Sequence, residues 1–130
     1  PYTTEETGDY ESANWIVQQL AKKHDKPFFL ACGIYRPHLP LYVPRKYFDR
    51  FPLDKVQLPN CIIEDLDDVP AAGRKLARRR YHDNVTKAGE WRRAVQGYLA
   101  AINYADDLTG MVLDALAESA YADKIGRAHV

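Results

Sequence analysis

Residues 28–44, FFLACGIYRPHLPLYVP, constrain the fold more than any other stretch of the chain. Residues 28–34 form an unbroken apolar run with Gly33 near its end. A strand buried on both faces reads this way, and such strands are typical of parallel sheets covered by helices. Pro37, Pro40 and Pro44 follow within a few residues. Proline has no N–H for a ladder, so this part cannot be a central strand. The run is therefore expected to pass into a stiff loop at a strand's carboxyl end, the edge where open α/β sheets bind ligands. That loop presents one imidazole, His38, between Pro37 and Pro40.

The flanking sequence predicts helices. Trp15, Ile16, Gln19 and Leu20 recur at three- and four-residue spacing, with Asp9 or Ser12 as candidate caps and an end near His24. Pro27 biases Lys26 away from helical angles. PRKYFDRFP, residues 44–52, predicts a short helix with Pro44 in its first turn. Residues 52–70 read as loop, 71–81 as helix, and about 90–120 as a long helix. Its apolar stripe is Trp91, Val95, Tyr98, Ile102, Ala105, Val112 and Leu116. Gly97 and Gly110 weaken that helix and suit close packing. YADKI, residues 121–125, reads as the approach to another strand. A helix followed by a buried strand implies an α/β layer. One strand and two amphipathic helices cannot cover both faces of a sheet, so the expected architecture is a slice of a larger α/β domain.

Composition excludes some functions and leaves others open. A chain of 130 residues is about one domain, and 46% hydrophobic residues suffice for a modest core. Lys plus Arg and Asp plus Glu balance at 18 each, which argues against a general nucleic-acid binder. No run approaches the roughly 18–20 apolar residues that span a bilayer. The first residues are polar and acidic, unlike a secretory leader, although the sequence opens on Pro1 rather than Met. Cys32 and Cys61 form no CxxC pair and have no histidine at metal-ligand spacing. Cys32 reads as a small buried hydrophobe. IGRAHV, residues 125–130, is what ATC GGA AGA GCA CAC GTC encodes, and it is expected to be a non-native read-through tail after a natural portion of residues 1–124.

Three stretches together resemble the type I sulfatases, in particular the iduronate-2-sulfatase-like branch. KPFFLACGIYRPHLPLYVPRKYFDRFP is similar to the family's core strand leading into a K/R-P-H-x-P loop. EDLDDVPAAGRKLA is similar to the acidic, proline-bearing stretch that follows. RRAVQGYLAAINYADDLTGMVLDAL is similar to a family helix ending in V-L-x-x-L. They occur in the family's order over residues 9–124. The resemblance implies an alkaline-phosphatase-like α/β fold, a mixed sheet flanked by helices, incomplete in this chain. It implies hydrolysis of sulfate esters, of a sulfated small molecule or glycan, by a formylglycine nucleophile beside a calcium ion. It also implies a periplasmic or extracellular setting, with no nucleic-acid or membrane partner.

The chain departs from the family pattern where the chemistry is densest. Formylglycine forms from the cysteine of C-x-P/A-x-R, but Cys32 is followed by Gly-Ile-Tyr and Cys61 by Ile-Ile-Glu. The upstream paired-aspartate and downstream D-H/N-G metal motifs are absent, so no residue here is assigned to metal and the chain alone is expected to be inactive. His38 is the residue whose family role transfers: it reaches the sulfate group, as oxyanion donor or general acid. The alternative is a loop histidine bonded to backbone. Arg36, in place of the commoner lysine, suits substrate binding through its bidentate fork, or a salt bridge at the loop rim. Tyr35 and Tyr42 could line a cleft but are expected to pack.

Weaker candidates resolve toward structure. EDLDD, residues 64–68, lacks EF-hand spacing and reads as a solvated turn capping the next helix. Asp106 suits a structural hydrogen bond. GRKLARRRYH, residues 73–82, reads as a solvated basic face rather than a nucleic-acid patch. His82 has no evident partner. The rival functions are a phosphodiesterase or phosphonate monoester hydrolase of the alkaline-phosphatase superfamily, and a non-catalytic binding homologue.

Overall fold

Helix-forming sequence dominates, and its backbone groups satisfy one another locally. In the computed structural model, which describes residues 2–62, 64–77 and 80–124, the helices are α1 Gly8–Leu20, α2 Arg45–Asp49, α3 Ala71–Leu76, α4 Arg80–Lys87 and α5 Trp91–Ala117. Single 3-10 turns follow at Leu53–Lys55 and Ala122–Lys124. The expected tail at 125–130 lies outside the described residues, as do Arg78 and Arg79 of the basic run.

Thr7 caps α1, its hydroxyl oxygen accepting from the Tyr10 N–H at 3.3 Å. Neither Asp9 nor Ser12 does so. Asp9 is inside the first turn, and Ser12 Oγ donates back to the Gly8 carbonyl at 2.9 Å. The helix stops at Leu20, before His24.

Helix α5 is about 40 Å long at 1.5 Å per residue. Ala13 of α1 and Ala100 and Ala101 of α5 are fully buried, which lets the two backbones approach closely. Tyr47 of α2 and Tyr104 of α5 complete this core edge to face, with ring centroids 5.2 Å apart. Each buried ring contributes on the order of 2 kcal/mol before entropy is counted. The Thr7 hydroxyl donates to the Thr4 carbonyl, so its contact with the Tyr104 hydroxyl has the tyrosine as donor.

The buried stripe of α5 is therefore Gly97, Ala100, Ala101, Tyr104 and Leu108. The stripe read from the sequence lies about a quarter turn or more around the helix; Tyr98 at 50% and Ile102 at 41% are exposed, and its other members are half-buried. Large apolar residues mark the sequence pattern, whereas small ones set the close contact. Gly97 faces Leu41 and Phe48, its missing Cβ 3.4 and 3.7 Å from their side chains, while Gly110 faces open space.

Polar staples hold the loops to α5. Arg50 donates to Asn103 Oδ1 at 2.7 Å and pairs with Asp107 at 3.2 Å, so Asp107 rather than Asp106 makes the structural bond. Gln96 donates to the Phe51 carbonyl at 2.7 Å, and Arg92 donates to that of Val56. At the other end Tyr121 donates to the Lys22 carbonyl and accepts from the His24 N–H.

Other expectations change too. Residues 28–34 have no regular structure, and no strand is present among the described residues. A strand needs N–H and C=O partners on a neighbouring segment, and none of the described segments lies there; Phe29 is 88% exposed and Cys32 is also exposed. The mixed sheet is thus not seen. The helix over 71–81 divides at Ala77, which is extended, and α3 is preceded by Pro70 with no side-chain cap from EDLDD. The approach to a second strand is instead the 3-10 turn Ala122–Lys124. His82 has a partner after all: its ring meets Trp91 edge to face at 5.0 Å.

Candidate functional site

The loop after residue 34 is built by local hydrogen bonds, because its prolines leave few backbone donors. The Arg36–Pro37 and Leu39–Pro40 peptides are both cis. The His38 N–H donates to the Tyr35 carbonyl at 3.1 Å, and the Tyr42 N–H to the Pro40 carbonyl at 2.9 Å. His38 is exposed at the tip.

The His38 ring is held at one nitrogen. Nδ1 lies 2.6 Å from the Leu39 carbonyl oxygen and 2.8 Å from the Tyr35 hydroxyl. A carbonyl only accepts, so Nδ1 carries a proton. The Tyr35 hydroxyl donates its own proton to the same carbonyl at 2.9 Å, leaving its oxygen to receive the Nδ1–H. The Tyr35 ring also lies against the imidazole, centroids 4.8 Å apart. Nε2 has no protein partner among the described residues and faces outward. It can accept from a ligand when the ring is neutral and donate when the ring is protonated.

Arg36 faces the other way. Its Nε donates to the Tyr42 carbonyl at 3.0 Å, closing the loop's base. One terminal nitrogen lies 4.0 Å from Asp9 Oδ2, and both side chains are largely buried. The salt-bridge alternative is therefore realised. Tyr35 packs on His38, while Tyr42 is 69% exposed.

Asp9 is the residue that sequence reasoning missed. Its Oδ1 accepts from the Tyr35 N–H at 2.8 Å and its Oδ2 from the Arg36 N–H at 3.2 Å. No local pattern announces a contact across 26 and 27 positions. Its charge is felt nearby. Burial first, and the Asp9 carboxylate second, push the Cys32 thiol up from its ordinary value. Burial likewise pushes the Tyr104 phenol up, opposed by its bond to Thr7. A recess of about 330 Å³ between α1 and the loop is lined in part by Asp9, Ser12, Arg36, Tyr42 and Tyr104. His38 is on the loop's outer side rather than in this recess.

Among the described residues no group of three or more His, Cys, Asp or Glu side chains converges as a metal site. The four carboxylates of EDLDD lie on an exposed turn. The donors present therefore do not fit a calcium ion, and neither cysteine stands in a formylglycine motif. No helix among the described residues is long and apolar enough to cross a membrane.

The family model for sulfatases matches residues 2–125, which include the whole loop, Asp9 and all five helices. The chain belongs to the sulfatase family. Family membership implies an alkaline-phosphatase-like fold, and members are sulfuric ester hydrolases. A sulfatase of Formosa agariphila is 42% identical over 117 residues, covering 88% of this chain and 23% of its own length. The iduronate 2-sulfatases of Homo sapiens and Mus musculus are 28% and 27% identical, each over 83% of this chain and 22% of their own length. The chain thus spans less than a quarter of the relatives it matches. No solved structure matches it.

Proposed function

We propose that residues 1–124 are an internal segment of a sulfatase that hydrolyses sulfate esters, of carbohydrates in particular, outside the cytoplasm in a periplasmic or extracellular setting. Formylglycine and calcium are assigned to parts of the protein beyond this chain, because neither cysteine stands in a formylglycine motif and no metal-ligand group converges among the described residues. The observation that carries the reading is the state of His38. Its Nδ1 is committed to Leu39 and Tyr35, and its Nε2 is unpartnered at the tip of the R-P-H-L-P loop.

In the proposed reaction an oxygen nucleophile supplied by the rest of the protein bonds to sulfur as the sulfur–oxygen bond to the alcohol breaks, and negative charge grows on the leaving oxygen. The protonated His38 ring donates its Nε2 proton there, or holds a sulfate oxygen by the same hydrogen bond. When the proton is transferred to the leaving oxygen the ring ends neutral, with Nδ1–H still on Leu39. Because the loop is braced before substrate arrives, little ordering is left for the transition state. Arg36, on the recess side of the loop, is assigned to an anionic group elsewhere on the same substrate.

The mixed sheet belongs to the same proposal. The unpaired apolar segment at 28–34 and the uncovered Tyr98 and Ile102 face of α5 are the surfaces that strands from the rest of the domain would cover. The test is turnover by the full-length protein on 4-nitrophenyl sulfate, a sulfated monosaccharide and bis(4-nitrophenyl) phosphate. Sulfate ester turnover, with none from residues 1–130 alone, is expected. Preferred turnover of the phosphodiester overturns the reading in favour of a phosphoesterase, and binding without turnover in favour of a non-catalytic homologue.

A further inference from the structure

We propose that Asp9 is the positioning residue that sets the His38 loop, an inference that rests on the role just given to His38. Tyr35 and Arg36 are the last two residues with free N–H groups before Pro37. With residues 28–34 unpaired, those N–H groups would have no protein acceptor were the Asp9 carboxylate absent. It takes both, one per oxygen, at 2.8 and 3.2 Å. Hydrogen bonds to an ionised acceptor are the stronger kind, and two at once fix direction as well as distance. The carboxylate is also well shielded from solvent, its side chain 11% exposed.

The two residues it grips are the two that shape the loop. Tyr35 reaches forward to His38 Nδ1 and to the Leu39 carbonyl. Arg36 reaches across to the Tyr42 carbonyl, with Asp9 beside its guanidinium. Asp9 therefore acts on the imidazole through Tyr35 and on the loop's far side through Arg36. It does not touch His38 and is not a catalytic residue. Anchored in the first turn of α1, itself packed on α5, it ties the start of the loop to the helical core that Leu41 and Val43 meet at the loop's end.

The experiment is a double-mutant cycle in the full-length protein, with kcat and KM for 4-nitrophenyl sulfate measured for wild type, Asp9→Asn, His38→Ala and the double variant. Asparagine keeps the shape but places an NH2 group against one of the two N–H donors. Asp9→Asn is expected to lower kcat about tenfold when His38 is present, and less than twofold when it is alanine, as contacts that share a network are non-additive. Tyr35→Phe, an exposed change that leaves the core alone, is expected to lower kcat severalfold only when His38 is present. Hydrogen exchange of peptides covering residues 34–37 is expected to quicken about tenfold in Asp9→Asn, while those within α5 are unchanged. Equal losses in both backgrounds, or unchanged exchange at 34–37, overturn the role of Asp9 alone. Full turnover by His38→Ala overturns both this role and the reading of His38.

Discussion

Helix α1 and the segment at 28–34 are near neighbours in sequence and both are rich in apolar side chains, yet they end in opposite environments. Ala13, Ile16 and Leu20 are buried against the rest of the helical core, whereas Phe28 and Phe29 are exposed. The difference lies in the backbone. A helix pairs its own N–H and C=O groups and needs a partner only for one apolar face. A strand needs a partner for its backbone as well, and among the described residues none is present for residues 28–34. The helices satisfy their own backbones, while residues 28–34 do not.

That contrast can be broken by experiments on the chain of 130 residues. Amide hydrogen exchange gives the largest expected effect. Amides at 100–108 should exchange about 10³-fold more slowly than those at 28–33, since protection tracks local opening. Similar rates would contradict the contrast. Tyr47→Ala should cost about 3–5 kcal/mol in urea denaturation, the range for an aromatic truncated in a core. A cost near zero would mean that the α2–α5 contact does not form. Gly110→Ala should stabilise by about 0.5–1 kcal/mol, because a Cβ there meets open space in the middle of a helix. A loss instead would place another surface against that face. Phe29→Ser should change the chain's stability by less than about 0.5 kcal/mol. In the full-length protein the same substitution should cost about 3 kcal/mol, if strands flank residue 29 as proposed.

The same contrast explains what could be read in advance. The long helix, α1 and the short helix after Pro44 were legible because helical periodicity and proline placement are local signals. The buried stripe of α5 was not, because Gly97, Ala100 and Ala101 carry little hydrophobicity and owe their burial to close approach. The unpaired state of 28–34 was hidden because an apolar run records what a segment needs and not whether the chain supplies it. At the site, the proline bracket around His38 was plain in the sequence. The tautomer was not, since it depends on where the Leu39 carbonyl and Tyr35 hydroxyl point. Locally Asp9 is one of two candidate helix caps beside Ser12, while its partners lie in the loop it anchors.

The central claim is that the outward nitrogen of His38 meets the sulfate group. It is tested most directly by comparing kcat for sulfate release by the full-length protein and by its His38→Ala variant at saturating substrate. A loss of about 10²–10⁴-fold is predicted, the span for removing a positioned acid or donor. An unchanged kcat would contradict it.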